Sequence, residues 1–592
     1  MGHLLLGSSV TLCRTVLRVA RNLGTSAVGV SLAAAAAADG SRAPTFSRDV
    51  APILYKSCIG CHRSGEIAQS MPLTTYESAK VSAKAIKEQV ASRQMPPWPA
   101  NSKHSLTFRN DPRLDDADIA TLVAWVDTGA ARGSDADLPP LPSASSGWLH
   151  PGGIKPDVVL SLPEVMLAAN GEIPYVLQRV KVPLTKDKWI AAMQVRPGNN
   201  ALVHHMGITE VSVADGVTPE DLDAFAKVGR EMGVGGDALA NMQPAVSDPL
   251  NPGAYDMLGV YTPGTTFEMY DHDSAKLLKA GKNLYINFNI HYTTTGRPER
   301  NRSELALWFA PDAPKHQLFR APAAVATVIA NGRQLLTDDA GTKAEGTDVA
   351  IPPIPPYASN YELVGVTAYT EPMTIYQLQP HAHMRGKDFK YSVVYPDGHE
   401  VTVLSVPHYD FHWQLAYDLA TPLALPAGSK LVVIAHYDNS SKNKRLTELG
   451  VDPRNCGPDK QAYFRRQNQS WHEMFSPLIQ YSMGGEPRAR SAAALHVVEA
   501  VGCLAIGTGN AWLLGMASDP VVTPSQSVSS AALRTMAAVP FGNRSYQLLG
   551  VNPFMPQRHL KQKMAAKGVL IEDANVSRLN VTSLQPIAGT CP

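Results

Sequence analysis

The 592-residue chain is short of several things, and each shortage removes a class of protein. Charge is low: Asp, Glu, Lys and Arg together make 18% of the residues and leave a net charge of +1. No electrostatic footprint for nucleic acid or an anionic membrane follows from such a balance. Beyond the N-terminus no segment reaches the roughly 18 apolar residues that a membrane span needs. Cysteine is scarce, with six in the whole chain, so most of its length must be stabilised by packing. What is plentiful is proline (46) and glycine (44), beside an ordinary 44% of hydrophobic residues. That combination favours many short strands and turns, so the expected class is mostly β. One core cannot serve such a length, and three to five domains are expected.

At the N-terminus Arg14, Arg18 and Arg21 precede the uncharged run "LGTSAVGVSLAAAAAA". Basic residues before a short apolar stretch ending in small residues resemble an export signal over 1–40, cleaved around Ala35 to Ala38. The expectation is an exported protein, periplasmic or extracellular, with no integral membrane span.

"YKSCIGCHRSGEIAQSMPL" places Cys58, Cys61 and His62 in the order C-x-x-C-H. A redox dithiol of the thioredoxin kind needs a βαβ setting, which is missing, and a structural zinc site needs a second ligand pair, whereas the next cysteine is Cys456. Covalent haem c needs only two thiols for the porphyrin vinyls and one histidine as proximal iron ligand. "FSRDVAPILYKSC" reads as a helix leading into the motif, and "DDADIATLVAWVDTGA" sets Ile119, Leu122, Val123 and Val126 at helical spacing. Between them, "SRQMPPWPA" holds Met95 in a stiff turn suited to a distal thioether; Met71, close to the attachment point, is the weaker candidate. The segment 45–133 resembles a small all-α class I cytochrome c, and "SDADLPPLPSASSG" (134–147) reads as a linker.

Beyond it, apolar runs such as "NLYINFNIHYTTTG" and "KLVVIAHYDNS" alternate with Gly/Pro/Asp turns at the spacing of β-sandwiches. Metal ligands concentrate at His204 and His205, at His291, and at His381 and His383. On a strand, positions 381 and 383 share one face and make a ready bidentate pair. Adjacent 204 and 205 would point to opposite faces, so joint binding of one metal requires a bulge or a strand end there. Single histidines (His408, His412, His436) read as satisfied polar groups. Met474, in "RRQNQSWHEMFSPLIQY", adds a soft thioether, which copper(I) seeks and zinc does not.

The ordered set H-H, "IHY", "HAHMRG" and "HEMF", with "VYTPGTTFEMY", "FHWQLAY" and "AHYDNS", is similar to the copper type II, ascorbate-dependent monooxygenases. This resemblance, over roughly 155–487, implies two tandem jelly-roll β-sandwiches (155–320 and 321–487) facing each other across a solvent cleft. It implies two copper ions: an electron-transfer copper on His204, His205 and His291, and a catalytic copper on His381, His383 and Met474 that meets dioxygen. It further implies a small organic substrate, O2 and an upstream electron donor, either an ascorbate-like reductant or a redox protein. Unlike the disulfide-rich animal members, this region has Cys456 alone. Two other readings stay open: an electron-transfer or copper-binding protein without turnover, and a copper oxidase or peroxygenase needing no reductant. The last segment, 491–592, reads as a small OB-like β-barrel in an accessory role, with Cys503 and Cys591 able to pair in an exported protein.

Overall fold

Strands dominate the molecule, and helices gather near its N-terminus. The computed structural model describes residues 42–143, 147–171, 173, 175–212, 257–264, 267–270, 273–281, 284–338, 352, 354–448, 473–484, 495–573 and 576–592. The export-signal reading of 1–40 and Cys456 lie outside the described residues.

Residues 46–127 hold a π-turn at Phe46–Val50 and helices Ala51–Ser57, Tyr76–Val81, Ala83–Ala91 and Asp116–Asp127. Local chemistry starts two of them. Thr75 and Ser78 make a capping box, and the Asp115 carboxylate accepts the Asp118 N–H at 2.7 Å. Phe46, Leu54, Leu122 and Trp125 form the centre of this unit's core, with the Phe46 ring 6.2 Å from Trp125 and 5.7 Å from Tyr76. The C-x-x-C-H motif follows directly from the C-terminal end of Ala51–Ser57.

Two pairs of sheets follow. In the first, a six-stranded sheet containing Lys188–Arg196 and Glu304–Phe309 faces a four-stranded one ordered Val176–Lys181, Leu284–Tyr292, Val203–Ser212, Met257–Tyr261. Ile190, Val195 and Leu305 from one sheet meet Ile208, Ile286 and Phe288 from the other in a single core. In the second pair, the four-stranded sheet is ordered Phe319–Pro322, Leu478–Met483, Met373–Gln379, Tyr417–Leu425. Its six-stranded partner includes Tyr361–Ala368, Lys430–Tyr437, Gly386–Val394 and Glu400–Val406.

The C-terminal strands close on themselves. Val497–Ile506, Trp512–Ala517, Arg544–Leu549, Ser577–Thr590 and Gln562–Glu572 pair in a ring, because the first also pairs with the last. Cys503 and Cys591 are joined, which settles the pairing the sequence left open. This ring is not a loose appendage. Its Leu514, Leu548 and Leu579 pack against Val364, Val366 and Val432 on the outer face of the second pair's six-stranded sheet. The buried Lys430 ammonium donates to the carbonyls of Leu549, Gly550 and Val581, satisfying its three protons. A sheet covered on both faces explains why "KLVVIAHY" reads as a continuous apolar run rather than an alternation.

Part of the segment 45–133 packs outside the helical unit. Between Ala83–Ala91 and Asp116–Asp127 the chain leaves the helical unit as a strap over 96–110. Trp98 and Phe108 belong to the core of the second sheet pair, with ring centroids 4.8 and 5.4 Å from Tyr417. Backbone bonds run from Asn101 N–H to Ser405 O, from Leu106 N–H to Val403 O, and from Ala420 N–H to Thr107 O. Asn110 then exchanges bonds with Ala416 and Asp418. Pro96 and Pro97, read as stiffeners of a ligand turn, launch this excursion. Trp98→Ala is expected to cost about 3–5 kcal/mol, the usual loss for a buried aromatic, and to expose 96–110 to limited proteolysis while the second sheet pair persists. A thermal shift with peptide mapping measures both.

Candidate metal centre

His204 and His205 do lie on a strand, Val203–Ser212, and the register slips between Val203 and His205 against Leu284–Tyr292. This bulge is the irregularity that adjacent histidines need in order to converge. His205 is paired directly across from His291. The ring nitrogens of His204, His205 and His291 lie within 4.8 Å of one another, all three residues buried. The two Nδ1 atoms of His204 and His205 are 3.0 Å apart. Their Nε2 atoms face outward, to His412 Nδ1 at 3.1 Å and to the Tyr175 hydroxyl at 3.0 Å. Outer partners of this kind fix ring orientation and leave the inner nitrogens for a metal.

His381 and His383 are not on a strand. Met373–Gln379 ends before Pro380, which has no N–H to continue the ladder, and the next strand starts at Gly386. The N–H groups of His383 and Arg385 go instead to the Glu473 carboxylate, at 2.5 and 2.9 Å. Tyr409 grips the middle of the loop, its hydroxyl taking Ala382 N–H and donating to Ala382 O. Gly386 is required by close approach: a Cβ there would lie 2.7 Å from Ala382 Cβ and 2.8 Å from the Tyr409 ring. The two imidazoles nevertheless meet, with ring centroids 5.3 Å apart.

Glu473 also accepts from Met474 N–H at 2.9 Å, and Ser476 N–H donates to His381 O at 3.1 Å. One buried carboxylate thus ties Met474 to the H-x-H loop. Burial pushes the Glu473 carboxyl up to about 7, opposed by Arg385 and by the three N–H donors. Burial likewise holds His381 and His291 down at about 4, and His204 and His205 well below the usual imidazole range. All four rings are therefore neutral at pH 7, as metal ligands must be.

The two sets are in contact, not across a solvent cleft. The His205 and His381 rings are 6.4 Å apart, and Tyr175 lies 4.8 Å from His291 and 6.1 Å from His383. Phe411, buried, stands 5.6 to 5.9 Å from His204, His205, His291 and His383. Sequence reasoning missed five residues of this cluster: Tyr175, Phe411, His412, Gln414 and Glu473. "FHWQLAY" had been singled out as a motif, without roles for its members. His436 fits its reading as a satisfied polar group, bonded to Asp388 at 2.7 Å and facing Glu362, which together raise it to about 9.

At the C-x-x-C-H motif, Cys58 and Cys61 are not bridged to each other. His62 Nδ1 donates to Met71 O at 3.0 Å, leaving Nε2 with its lone pair. The loop after the motif reaches the first sheet pair, where Glu66 accepts from Asn200 Nδ2 at 2.7 Å.

Compared with known proteins, residues 339–455 match the family model of the copper type II ascorbate-dependent monooxygenase, C-terminal domain. That stretch contains His381, His383 and the 411–414 turn and stops short of Met474. The match supports this family, with copper as its metal and O2 and an ascorbate-like reductant as co-reactants. No curated protein matches the chain. Among solved structures, PNGF-II aligns at 10% identity over 55% of this chain and 65% of its own, with a TM-score of 0.21. The chain thus spans less than two thirds of that protein's length. The mavirus major capsid protein aligns at 9% identity over 58% and 93%, with a TM-score of 0.15. Allantoicase from Saccharomyces cerevisiae aligns at 8% over 45% and 79%, with a TM-score of 0.11. At these scores none informs the fold.

Proposed function

We propose that this chain is an exported copper monooxygenase that hydroxylates a C–H bond of a small organic substrate, fed by its own haem c. The balanced reaction is R–H + O2 + 2 e⁻ + 2 H⁺ → R–OH + H2O. The observation that carries it is the buried junction of two histidine sets, one of them tied by Glu473 to the peptide of Met474. When bound, copper supplies one-electron redox chemistry and activation of dioxygen. The residues supply the rest. His204, His205 and His291 would hold one ion through inward-facing nitrogens. His381 would offer Nε2, since its Nδ1 donates to Gln414 at 2.6 Å, and His383 and Met474 would complete the other site. Phe411 and Tyr175 wall the junction and limit water access.

Cys58, Cys61 and His62 would carry the haem, which supplies a one-electron relay when attached. Met71 holds His62 through its carbonyl and so sits on the proximal side, which favours Met95 as distal ligand. The strap on the second sheet pair and the Glu66–Asn200 bond on the first dock this unit against both.

The test is metal content. The purified holoprotein is expected to hold one haem, not extractable by acid–acetone, and two copper ions per chain without stoichiometric zinc. Zinc at both non-haem sites would overturn the reading.

A further inference from the structure

A cavity of about 780 Å³ opens where the helical unit meets the first sheet pair. Three segments line it: Ser64, Gly65 and Gln69 after the C-x-x-C-H motif, Arg196 to Asn200 leading into Val203–Ser212, and the stretch 297–304 beyond Leu284–Tyr292. Its volume falls within the roughly 300–1,000 Å³ of small-molecule sites, but its lining is unlike the usual apolar one. Among the described residues that line it, Pro197 is the one apolar side chain, set among four arginines, two glutamates, amides and a hydroxyl. The walls are fixed. Asn200 donates to Glu66 across the seam at 2.7 Å. Gly198 is pressed on Arg302, whose carbonyl oxygen a Cβ would meet at 2.5 Å.

The charges here do not cancel. Arg196 pairs with Glu304 at 2.7 Å, Arg297 with Glu299 at 2.9 Å, and Arg300 with Glu164 at 2.7 Å. Glu299 is further occupied by the Thr295 hydroxyl at 2.5 Å and by Asn199 Nδ2 at 2.6 Å. Glu66, beside the cavity, has Arg63 as countercharge. Of the four arginines, Arg302 alone has no carboxylate partner among the described residues. We propose that this cavity binds a small hydroxylated carboxylate, a monoanion of the sugar-acid class, whose carboxylate pairs with Arg302. A planar guanidinium takes a carboxylate through two parallel N–H donors. A second negative charge on the ligand would face Glu299 and Glu304 with no cation left to meet it. Hydroxyl groups suit the remaining walls. Gln69, whose Oε1 accepts the Gly65 N–H at 3.3 Å, has its NH2 to offer them, beside the Ser64 hydroxyl and the glutamate oxygens. A ligand seated there touches both the loop after His62 and the turn before His204, so its binding ties the helical unit to the first sheet pair. The site is independent of the metal reading above, and testing it needs no turnover.

The test is isothermal titration calorimetry of the full chain with sodium gluconate at constant ionic strength. One saturable site per chain is expected, with glucose and inorganic sulfate each at least about 10-fold weaker. Arg302→Gln removes a guanidinium that is in no ion pair. It is expected to weaken gluconate at least about 10-fold, at unchanged melting temperature. Gln69→Glu keeps the acceptor for Gly65 and sets a negative charge on the other wall; should Arg302→Gln fold poorly, it carries the same expected loss of affinity. A cleft that merely solvates its arginines predicts gluconate heats no larger than those of chloride. That result, glucose binding as tightly as gluconate, or wild-type affinity in both variants would overturn the site.

Discussion

Met474→His is expected to retain two copper ions per chain and to lose hydroxylation by about 100-fold or more. Imidazole is also a good copper ligand, so occupancy survives the change. What disappears is the thioether, which favours copper(I), the state that must meet dioxygen. The backbone argues that the effect stays local. Met474 is fixed by its N–H to Glu473 and by its carbonyl, which accepts the Tyr437 hydroxyl at 2.8 Å, and neither bond involves the side chain. Inductively coupled plasma analysis for copper, beside turnover under isotopic dioxygen, separates the two quantities. Near-normal turnover would remove Met474 from its assigned role.

A haem carried, as proposed, on Cys58, Cys61 and His62 is expected to be oxidised in step with product formation, and much more slowly in His204→Ala. Domain order alone suggests this, because a linker at 134–147, as the sequence reads, would keep such a haem at high effective concentration. The fold gives a shorter argument. The loop that follows His62 bonds to Asn200 through Glu66, and Asn200 lies in the turn that leads into the strand carrying His204, four residues on. Met95 as distal ligand would raise the haem potential towards that of a histidine-held copper. The haem is reduced anaerobically, mixed with substrate and dioxygen, and its α-band followed by stopped flow. Equal reoxidation in wild type and variant, or product formed while the haem stays reduced, would break the link.

Both expectations start from residues that can be picked out in the sequence, and the reason is chemical. Sulfur and imidazole ligands are few, so their spacing stands out: C-x-x-C-H at 58–62, H-H at 204–205, H-x-H at 381–383 and Met474. The β class followed from proline, glycine and short apolar runs, and the helix Asp116–Asp127 from its periodicity. Even the bulge at His204 was implied, since adjacent side chains on a regular strand diverge.

What the sequence could not decide is what depends on contacts between distant segments. Pro96 to Asn110 carries nothing that distinguishes a ligand turn from a strap; only packing against Tyr417 makes Trp98 and Phe108 core residues. His412 has the same local setting as any exposed turn histidine, and becomes relevant because His204 of another sheet pair lies 3.1 Å away. Gln414 and Glu473 are ordinary polar residues until folding buries them beside ligand loops whose N–H groups and ring nitrogens need partners. Composition and spacing therefore determined which atoms can bind metal. Tertiary structure alone decided that the two sets meet, because a buried polar group must find its partner wherever the chain brings one.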